Sequence, residues 1–425
     1  MPQTRNVPVP DSNCPEAELL LACARTVVEP RIRERIGELL QMGIDWSLLE
    51  RKAHRNYVMP LLCRNLLAHP GCLPDSVSQN LRAYLDQHAK NNLFQAMELL
   101  KIIRLLDKHG IPCLPFKGPI LAATAYGDLS LRTFSDLDIL VHRHHLAAAV
   151  KALRTLDYIP AQSTGQKRPR ASLLNRRKDV VCVKKDGRVR VELHWRLSGS
   201  HFDLAWNISH IWERLDQVQI AGARVRNLPV SHALNYLCLH GSRHGWTRLG
   251  WICDVAELIR SQATLDWDRI ITEAREAGCY RALALGVHLA HDLLEADVPK
   301  EVCVKLCINS DARAMAARVR DQLLSDCDPQ LELSDWYSMH LGMRESVSDR
   351  LRLHIHYASR YMHILFRPNA KDFSLCLHLP HPALVVYLLR PLRLAKEYLL
   401  APALARLKKR KADRVLNGSQ DVSGI

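Results

Sequence analysis

The chain has 425 residues, of which 48% are hydrophobic and 24% are charged, and its formal net charge is +15. This is ordinary globular composition for two to three domains, and it excludes a chain that is disordered throughout. The positive balance favours anionic partners such as nucleotides, nucleic acid or an anionic membrane surface, although basic loops that only promote solubility are an equal alternative.

The thirteen cysteines are scattered along the chain, without a CxxC pair or the framework of a secreted protein. We therefore expect reduced thiols and no disulfides. Residues 1–13 are polar and rich in proline, which predicts a disordered lead and no signal peptide. The longest apolar run, Ala383–Leu389, is too short to span a bilayer. These features predict a cytoplasmic protein.

Residues 14–109 predict an N-terminal helical region. Apolar side chains recur there at three- and four-residue spacing, and Asp45 is the expected N-cap of one helix. The predicted helices are Glu16–Val28, its continuation Arg31–Leu40, Asp45–Asn56 and Leu81–Leu106.

Residues 110–228 predict a small mixed α/β unit. Pro119 and Gly127 stand where the first residue and the C′ residue of a short helix would lie. A Lys185-Asp186-Gly187 turn joins two alternating runs, as in a hairpin. The predicted strands are Ile111–Phe116, Asp136–Val141, Val180–Lys184 and Val189–Trp195, and the predicted helix is His145–Leu156.

Residues 229–380 are helical in pattern again and predict a C-terminal helical domain. Residues 381–425 form an apolar and then basic tail whose end is expected to be disordered. The predicted helices of the domain are His232–Leu239, Leu249–Arg260, Trp267–Ala277 and Arg281–Leu294.

The turn Lys117-Gly118-Pro119 follows a predicted strand and opens a predicted helix. Gly118 allows the backbone to approach a phosphate closely, and the N-terminus of a helix offers free N–H groups to an anion. Lys117 adds a positive charge. Because this tripeptide is common by chance, its weight depends on the acidic strand that follows.

That strand carries Asp136 and Asp138, which alternate with Leu137, Ile139 and Val141, so the two carboxylates share one face. Paired carboxylates on an apolar strand are costly unless a cation meets them. The usual partner is a hard divalent cation bound together with substrate phosphates. We therefore expect phosphoryl or nucleotidyl transfer. The alternative is an N-capping Asp followed by a salt-bridged Asp.

A third carboxylate, Glu192, lies on a later strand in which Val191 and Leu193 alternate with Glu192 and His194. Three carboxylates from neighbouring strands would complete a site for two cations that clamp an in-line displacement. The alternative for Glu192 is an ion pair with Arg190 or another base. His194 is interpreted as a polar residue that orients Glu192 and not as a metal ligand.

His240 and His244 are four residues apart on a predicted helix, with Arg248 following on the same face. Such a pair binds zinc in some proteins, but no third ligand is evident. We favour a buried polar cluster that packs the helical region onto the core. A wall of the substrate cleft is a further alternative for these residues and for His194. Asp254 is expected to pair with Arg248 or a histidine.

Two basic segments keep two interpretations each. Residues 167–178 carry six basic side chains, which form either a mobile loop over the site or a solvated linker. The tail around residues 382–411 either contacts an anionic membrane or nucleic acid, or is a helix docked on the body with a solvated basic end. We favour the docked helix.

Several segments of the core occur in a fixed order along the chain. They are Gly110-Ile111, Phe116–Pro119, Tyr126-Gly127-Asp128, Leu131-Arg132, Asp136–Val141, Val191–Trp195 and Leu239–Asp254. In this order they resemble the uncharacterised bacterial nucleotidyltransferase family of the polymerase-beta-type nucleotidyltransferase superfamily. The resemblance covers about residues 15–300.

This resemblance implies an α+β fold, with a small mixed-sheet nucleotidyltransferase core flanked by N-terminal and C-terminal helical regions. It implies transfer of a nucleoside monophosphate from an NTP donor to an unidentified acceptor, which is a protein, peptide, sugar, small molecule or RNA, with release of pyrophosphate. It also implies Mg²⁺ or Mn²⁺ as the cation. The implied catalytic and metal-ligating residues are Asp136, Asp138 and Glu192. The implied nucleotide-binding residues are Lys117, Gly118, Arg132 and Ser135.

The chain departs from the wider superfamily at one point, because Gly118-Pro119 replaces a Gly-Ser or Gly-Gly pair. Proline removes one N–H donor, so phosphate binding is expected to depend more on Lys117 and Arg132.

Two other functions stay open. A non-catalytic nucleotide- or polyanion-binding accessory protein is the main alternative, but three carboxylates without a metal would repel a phosphate ligand. A nucleic-acid-binding protein without a nucleotide site is supported only by the net charge.

Overall fold

The computed structural model describes residues 14–161, 179–197, 208–306, 310–326 and 332–366, together with Tyr387, Arg390 and Arg393. The chain divides into two compact units, of which the first ends at Asp349 and the second begins at Arg350. The predicted lead 1–13, the basic segment 167–178 and most of the tail lie outside the described residues. The finer domain boundaries inferred from the sequence stay predictions.

Five helices precede the sheet. They are α1 (Pro15–Cys23), α2 (Pro30–Leu40), α3 (Trp46–Arg55), α4 (Met59–Leu67) and α5 (Asp75–Lys108). Asp45 caps α3 as predicted, because its side chain accepts a hydrogen bond from the Leu48 backbone N–H at 2.9 Å. The first predicted helix ends earlier than expected, at Cys23, and α5 begins before Leu81 and is 34 residues long. The helix α4 was not predicted.

A five-stranded mixed sheet follows, in the order β1-β2-β5-β4-β3. Its strands are β1 (Cys113–Pro115), β2 (Leu137–Val141), β3 (Tyr158–Pro160), β4 (Asp179–Lys184) and β5 (Arg190–His194). The pair β2–β5 is parallel, and the other three pairs are antiparallel. The predicted strands therefore exist, three of them with slightly shorter bounds and β4 beginning one residue earlier than predicted, and the short edge strand β3 was missed. The predicted α+β class with a mixed sheet is confirmed.

The two faces of β2 have opposite chemistry because successive side chains alternate across a strand. Leu137, Ile139 and Val141 are buried in a core that includes residues of α5 and of the helix α7 (Leu146–Leu153). The opposite face carries Asp138 and Leu140. The long helix and α7 thus cover one side of the sheet and leave the acidic side to other elements.

A short helix and a hairpin complete this part of the chain. The helix α6 (Pro119–Thr124) begins with Pro119 at its first turn, as predicted. After α8 (Ile208–Glu213), the strands β6 (Asp216–Ile220) and β7 (Ala223–Asn227) form a separate antiparallel pair that the sequence analysis did not predict.

Helices make up the rest of the described chain. They are α9 (Val230–Arg243), α10 (Leu249–Arg260), α11 (Trp267–Ala277), α12 (Tyr280–Leu294), α13 (Lys300–Lys305), α14 (Ser310–Leu324), α15 (Leu333–Gly342) and α16 (Val347–Phe366). The first four match the predicted helices closely. Their buried residues form one continuous core with those of α1–α4.

The cysteines in the described part of the chain are free thiols. Among the described helices, none combines the length and the apolar character that crossing a bilayer requires.

The fully buried Trp246 packs against Gly241 of α9, and this contact leads to a prediction about stability. A Cβ added at Gly241 would lie only 2.3 Å from the Trp246 ring. We expect Gly241→Ala to lower the free energy of unfolding by about 1–3 kcal/mol because of overpacking. Urea denaturation measures the change.

Gly37→Ala is the matched control, since Gly37 also lies inside a helix but has open space where its Cβ would be. It should raise stability by about 0.5–1 kcal/mol through helix propensity. Equal effects of the two substitutions would contradict the packing argument.

Candidate active site

The pairing of β1 with β2 continues beyond the last residue of β1 and brings Lys117 beside Asp138. The Phe116 N–H donates to the Asp138 carbonyl oxygen at 3.3 Å. The chain then turns at Gly118, whose φ of 49° is in the left-handed region. A Cβ at this position would lie 3.1 Å from the Asp136 carbonyl oxygen. Gly118 is therefore required by both its backbone conformation and its close approach to β2.

The parallel pairing of β2 with β5 brings two carboxylates together. Asp138 is directly opposite Glu192, and Leu140 is opposite His194. Paired residues of neighbouring strands project from the same face, so Asp138, Glu192 and His194 share the acidic side of the sheet. One ligand atom from each of these three side chains lies within 4.8 Å of the other two.

The Asp138 carboxylate is almost completely buried and has a partner at each oxygen. Its Oδ1 lies 2.8 Å from His194 Nε2, and its Oδ2 lies 3.0 Å from Lys117 Nζ. Burial alone would raise the pKa of Asp138, but the Lys117 charge and the His194 hydrogen bond outweigh it and hold the pKa well below its usual range. Asp138 is therefore ionised and compensated.

The other two carboxylates differ in their electrostatics. Glu192 accepts from Arg190 at 2.9 Å and lies 3.5 Å from His194 Nε2, and the bond from His194 lowers its pKa to about 2. The ion pair with Arg190 that was the alternative interpretation of Glu192 is thus present. Asp136 is half-buried one residue before β2, and burial together with the Asp138 charge raises its pKa.

The His194 imidazole is fully buried, and its Nδ1 has no hydrogen-bond partner within the described structure. If Nε2 ligated a metal, Nδ1 would have to carry a proton without an acceptor, whereas metal-bound imidazoles normally donate from their other nitrogen. A proton on Nε2 is favourable because the Asp138 carboxylate accepts it at 2.8 Å and Glu192 Oε2 lies 3.5 Å away. The geometry supports His194 as a hydrogen-bond donor that fixes Asp138 and Glu192.

Two aromatic rings enclose the Lys117 side chain. Its Nζ lies 5.8 Å from the Phe116 ring centroid and 5.9 Å from that of Tyr236 on α9. Phe116 also meets the rings of His194 and Tyr236 edge-on, at 5.2 and 5.3 Å. The sequence analysis missed Tyr236, although its spacing of four residues before His240 puts both on one helix face.

Arg132, a predicted phosphate ligand, has its guanidinium on a carboxylate of α10. Nε and Nη2 donate to the two oxygens of Asp254 at 2.7 and 2.8 Å, and the Tyr126 hydroxyl donates to Oδ1 at 2.7 Å. The Asp254 charge raises the Arg132 pKa although burial opposes it. Arg132 is thus a partner of Asp254, for which the sequence analysis expected Arg248 or a histidine. The nucleotide-binding role of Arg132 stays a prediction.

The remaining predicted residues lie near these groups or on α9 and α10. Ser135 is exposed in the loop before β2. His240 and His244 have ring centroids 4.7 Å apart, and both contact the Trp251 ring. Arg248 stacks over Tyr57. In the part of the chain that is described, Asp138, Glu192 and His194 form the only three-residue group with metal-ligand spacing.

The chain matches a family of known proteins in sequence. The sequence profile of a family described as "Uncharacterised nucleotidyltransferase" matches residues 42–295, which is more than half of the chain. A crystal structure of an antigenic nucleotidyltransferase-like protein from Paracoccidioides brasiliensis is similar at 16% identity. This match covers 52% of the present chain and 97% of that chain, with a TM-score of 0.33. No curated protein matches.

The bidentate pair between Arg132 and Asp254 makes a stability prediction, because removing one charge leaves the other buried. The two side chains are only 12% and 5% exposed. We expect Asp254→Asn to cost about 3 kcal/mol of unfolding free energy. Denaturant titration followed by circular dichroism measures the loss.

The control is Asp86→Asn, which removes a carboxylate from an exposed pair with Lys90 on α5. Its effect should stay within about 0.5 kcal/mol. If the two variants were equally stable, Arg132 would not depend on Asp254.

Proposed function

Because the chain belongs to the uncharacterised nucleotidyltransferase family, we propose that it transfers a nucleoside monophosphate from an NTP to an acceptor and releases pyrophosphate. We also propose that the chain belongs to the bacterial, polymerase-beta-type nucleotidyltransferases and that it is cytoplasmic. The observation that carries it is the register of β2 and β5, which aligns Asp138 with Glu192 beside the Lys117-Gly118 turn. Ionised carboxylates next to a lysine and a close-approach glycine suit a metal–phosphate substrate.

The residues present fit a divalent cation. Asp138 and Glu192 offer carboxylate oxygens on one face, and Asp136 is close enough for its pKa to respond to both of them. Oxygen ligands suit Mg²⁺ or Mn²⁺. Asp136, Asp138 and Glu192 would hold the cation, which when bound neutralises phosphate charge and lowers the pKa of the attacking group.

In the proposed reaction, a hydroxyl or other nucleophile of the acceptor attacks the α-phosphorus of the NTP. The bond from nucleophile to phosphorus forms as the bond from the α-phosphorus to the bridging oxygen breaks. The bridging oxygen leaves with pyrophosphate, and the nucleophile's proton goes to solvent or a nearby carboxylate. Such transfers depend on positioning and charge stabilisation, with little covalent chemistry by the protein.

The chain's own side chains divide this work. Lys117 contributes a positive charge for the phosphates, and Gly118 allows them to approach the backbone. His194 holds the Asp138 and Glu192 carboxylates in place by donating from Nε2. Phe116 and Tyr236 shield these charges from water, which strengthens every electrostatic interaction in the site. Arg132 supports the loop before β2 through Asp254.

One observation supports the alternative that the chain is a non-catalytic nucleotide-binding protein. Asp138 is compensated by the chain itself, because Oδ1 accepts from His194 and Oδ2 is ion-paired with Lys117, although Oδ2 has no hydrogen bond among the described residues. A binding protein would bind an NTP in a manner that does not depend on Asp136 or a divalent cation.

We expect wild-type protein to bind one NTP preferentially in the presence of Mg²⁺ or Mn²⁺, and Asp136→Asn and Asp138→Asn to reduce that affinity at least about tenfold. Each substitution removes a carboxylate charge without changing side-chain volume. Isothermal titration calorimetry with each of the four NTPs measures the affinities, and circular dichroism verifies that the variants fold.

Asp86→Asn, on the exposed surface of α5, is the matched control and should bind as wild type does. Metal-independent binding that survives both active-site substitutions would favour the non-catalytic protein. The absence of binding of any NTP with either cation would contradict the proposal.

A further inference from the structure

We propose that Lys117 competes with the divalent cation for Asp138, so that the NTP promotes metal binding by drawing the Lys117 ammonium away from this carboxylate. This inference rests on the proposed function and deepens it, because it states how the same site couples its two ligands. Lys117 would then be a positioning residue with two alternative anionic partners, Asp138 and a phosphate of the nucleotide.

The Lys117 ammonium already lies at one oxygen of the Asp138 carboxylate. Lys117 Nζ lies 3.0 Å from Asp138 Oδ2, and the other oxygen of the carboxylate has His194 Nε2 at 2.8 Å. A dication bound to Asp138 would therefore lie within a few ångströms of a monocation. Like charges at such a distance repel strongly where water is excluded, and the Asp138 side chain is only 1% exposed.

The Lys117–Asp138 pair differs in geometry from the buried pair between Arg132 and Asp254. Arg132 meets Asp254 with two parallel hydrogen bonds, a geometry that fixes both groups. Lys117 meets Asp138 through one contact of a compact ammonium on a flexible stem. Its side chain is 13% exposed, against 1% for that of Asp138. Lysine at this position is suited to exchange one anionic partner for another.

A triphosphate bound near Gly118 would attract the Lys117 ammonium. The turn at Gly118 brings the backbone after Lys117 close to β2, where a Cβ would lie 3.1 Å from the Asp136 carbonyl oxygen. A triphosphate bound at this turn carries several negative charges, against one on Asp138. The ammonium would move to the phosphate, and Asp138 would regain a full charge for the cation. Linkage requires that the cation then increases the affinity for the NTP by the same factor.

The test removes the Lys117 charge and measures each ligand separately. We expect Lys117→Met and Lys117→Gln to bind Mn²⁺ alone about tenfold more tightly than wild type, in the usual range of coupling between sites. The same variants should bind the Mg²⁺–NTP complex about tenfold more weakly. Electron paramagnetic resonance of free Mn²⁺ gives the first affinity, and calorimetry gives the second.

Lys90→Met is the control for net charge, because it removes an exposed lysine from a surface pair and should leave both affinities unchanged. Lys117→Gln keeps a hydrogen-bond donor for Asp138, so it provides the measurement if Lys117→Met does not fold.

The opposite signs of the two changes distinguish this inference from simpler roles. Unchanged Mn²⁺ affinity with weaker NTP binding would make Lys117 a phosphate ligand only, and loss of both affinities would make it structural. Either result overturns the inference. If wild type bound a Mg²⁺–NTP complex but no variant bound Mn²⁺ alone, the inference would fail and the proposed function would stand. If wild type bound neither Mn²⁺ nor a Mg²⁺–NTP complex, both would fail.

Discussion

The structure depends most on the compensation of one buried charge. Asp138 is ionised on an apolar strand inside the protein, where an isolated carboxylate would be strongly unfavourable. Lys117 and His194 meet its two oxygens, and each is held there by a different neighbour of β2. The β1 pairing and the Gly118 turn bring in the lysine, and the parallel β5 brings in the histidine. The two strands next to β2 in the sheet, together with the turn that follows β1, thus supply the two groups that compensate Asp138.

A second buried pair connects the core to the helices that follow it. Arg132, in the loop before β2, reaches Asp254 on α10 across 122 residues of sequence. The Arg132 carbonyl in turn accepts from Asn92 on α5 at 2.9 Å. Arg132 therefore connects α5, the loop before β2 and α10. The loop that carries Ser135 and Asp136 is constrained at its base, which keeps Asp136 near Asp138.

Much of this arrangement follows from sequence pattern, because local rules act on it directly. Alternation on β2 and β5 predicts which side chains share a face, and Asp45 and Pro119 mark helix starts through capping and proline geometry. Partner choice was less predictable. Nothing local links Arg132 to Asp254 or brings Tyr236 to Lys117, since both contacts arise from the packing of distant helices. The hairpin β6–β7 was missed because its strands carry charged residues on the exposed face and few apolar ones.

The parallel pairing of β2 with β5 also has a consequence for how the protein is made. Asp138 and His194 are separated by 56 residues, and a parallel pair needs a crossover between its strands. The antiparallel β1–β2 contact is local by comparison and needs only the short segment around α6. On a growing chain, Lys117 can therefore reach Asp138 well before His194 or Glu192 has been synthesised. Lys117 is thus the counter-charge that is available first, and the non-local pairing of β2 with β5 is the step expected to be slower.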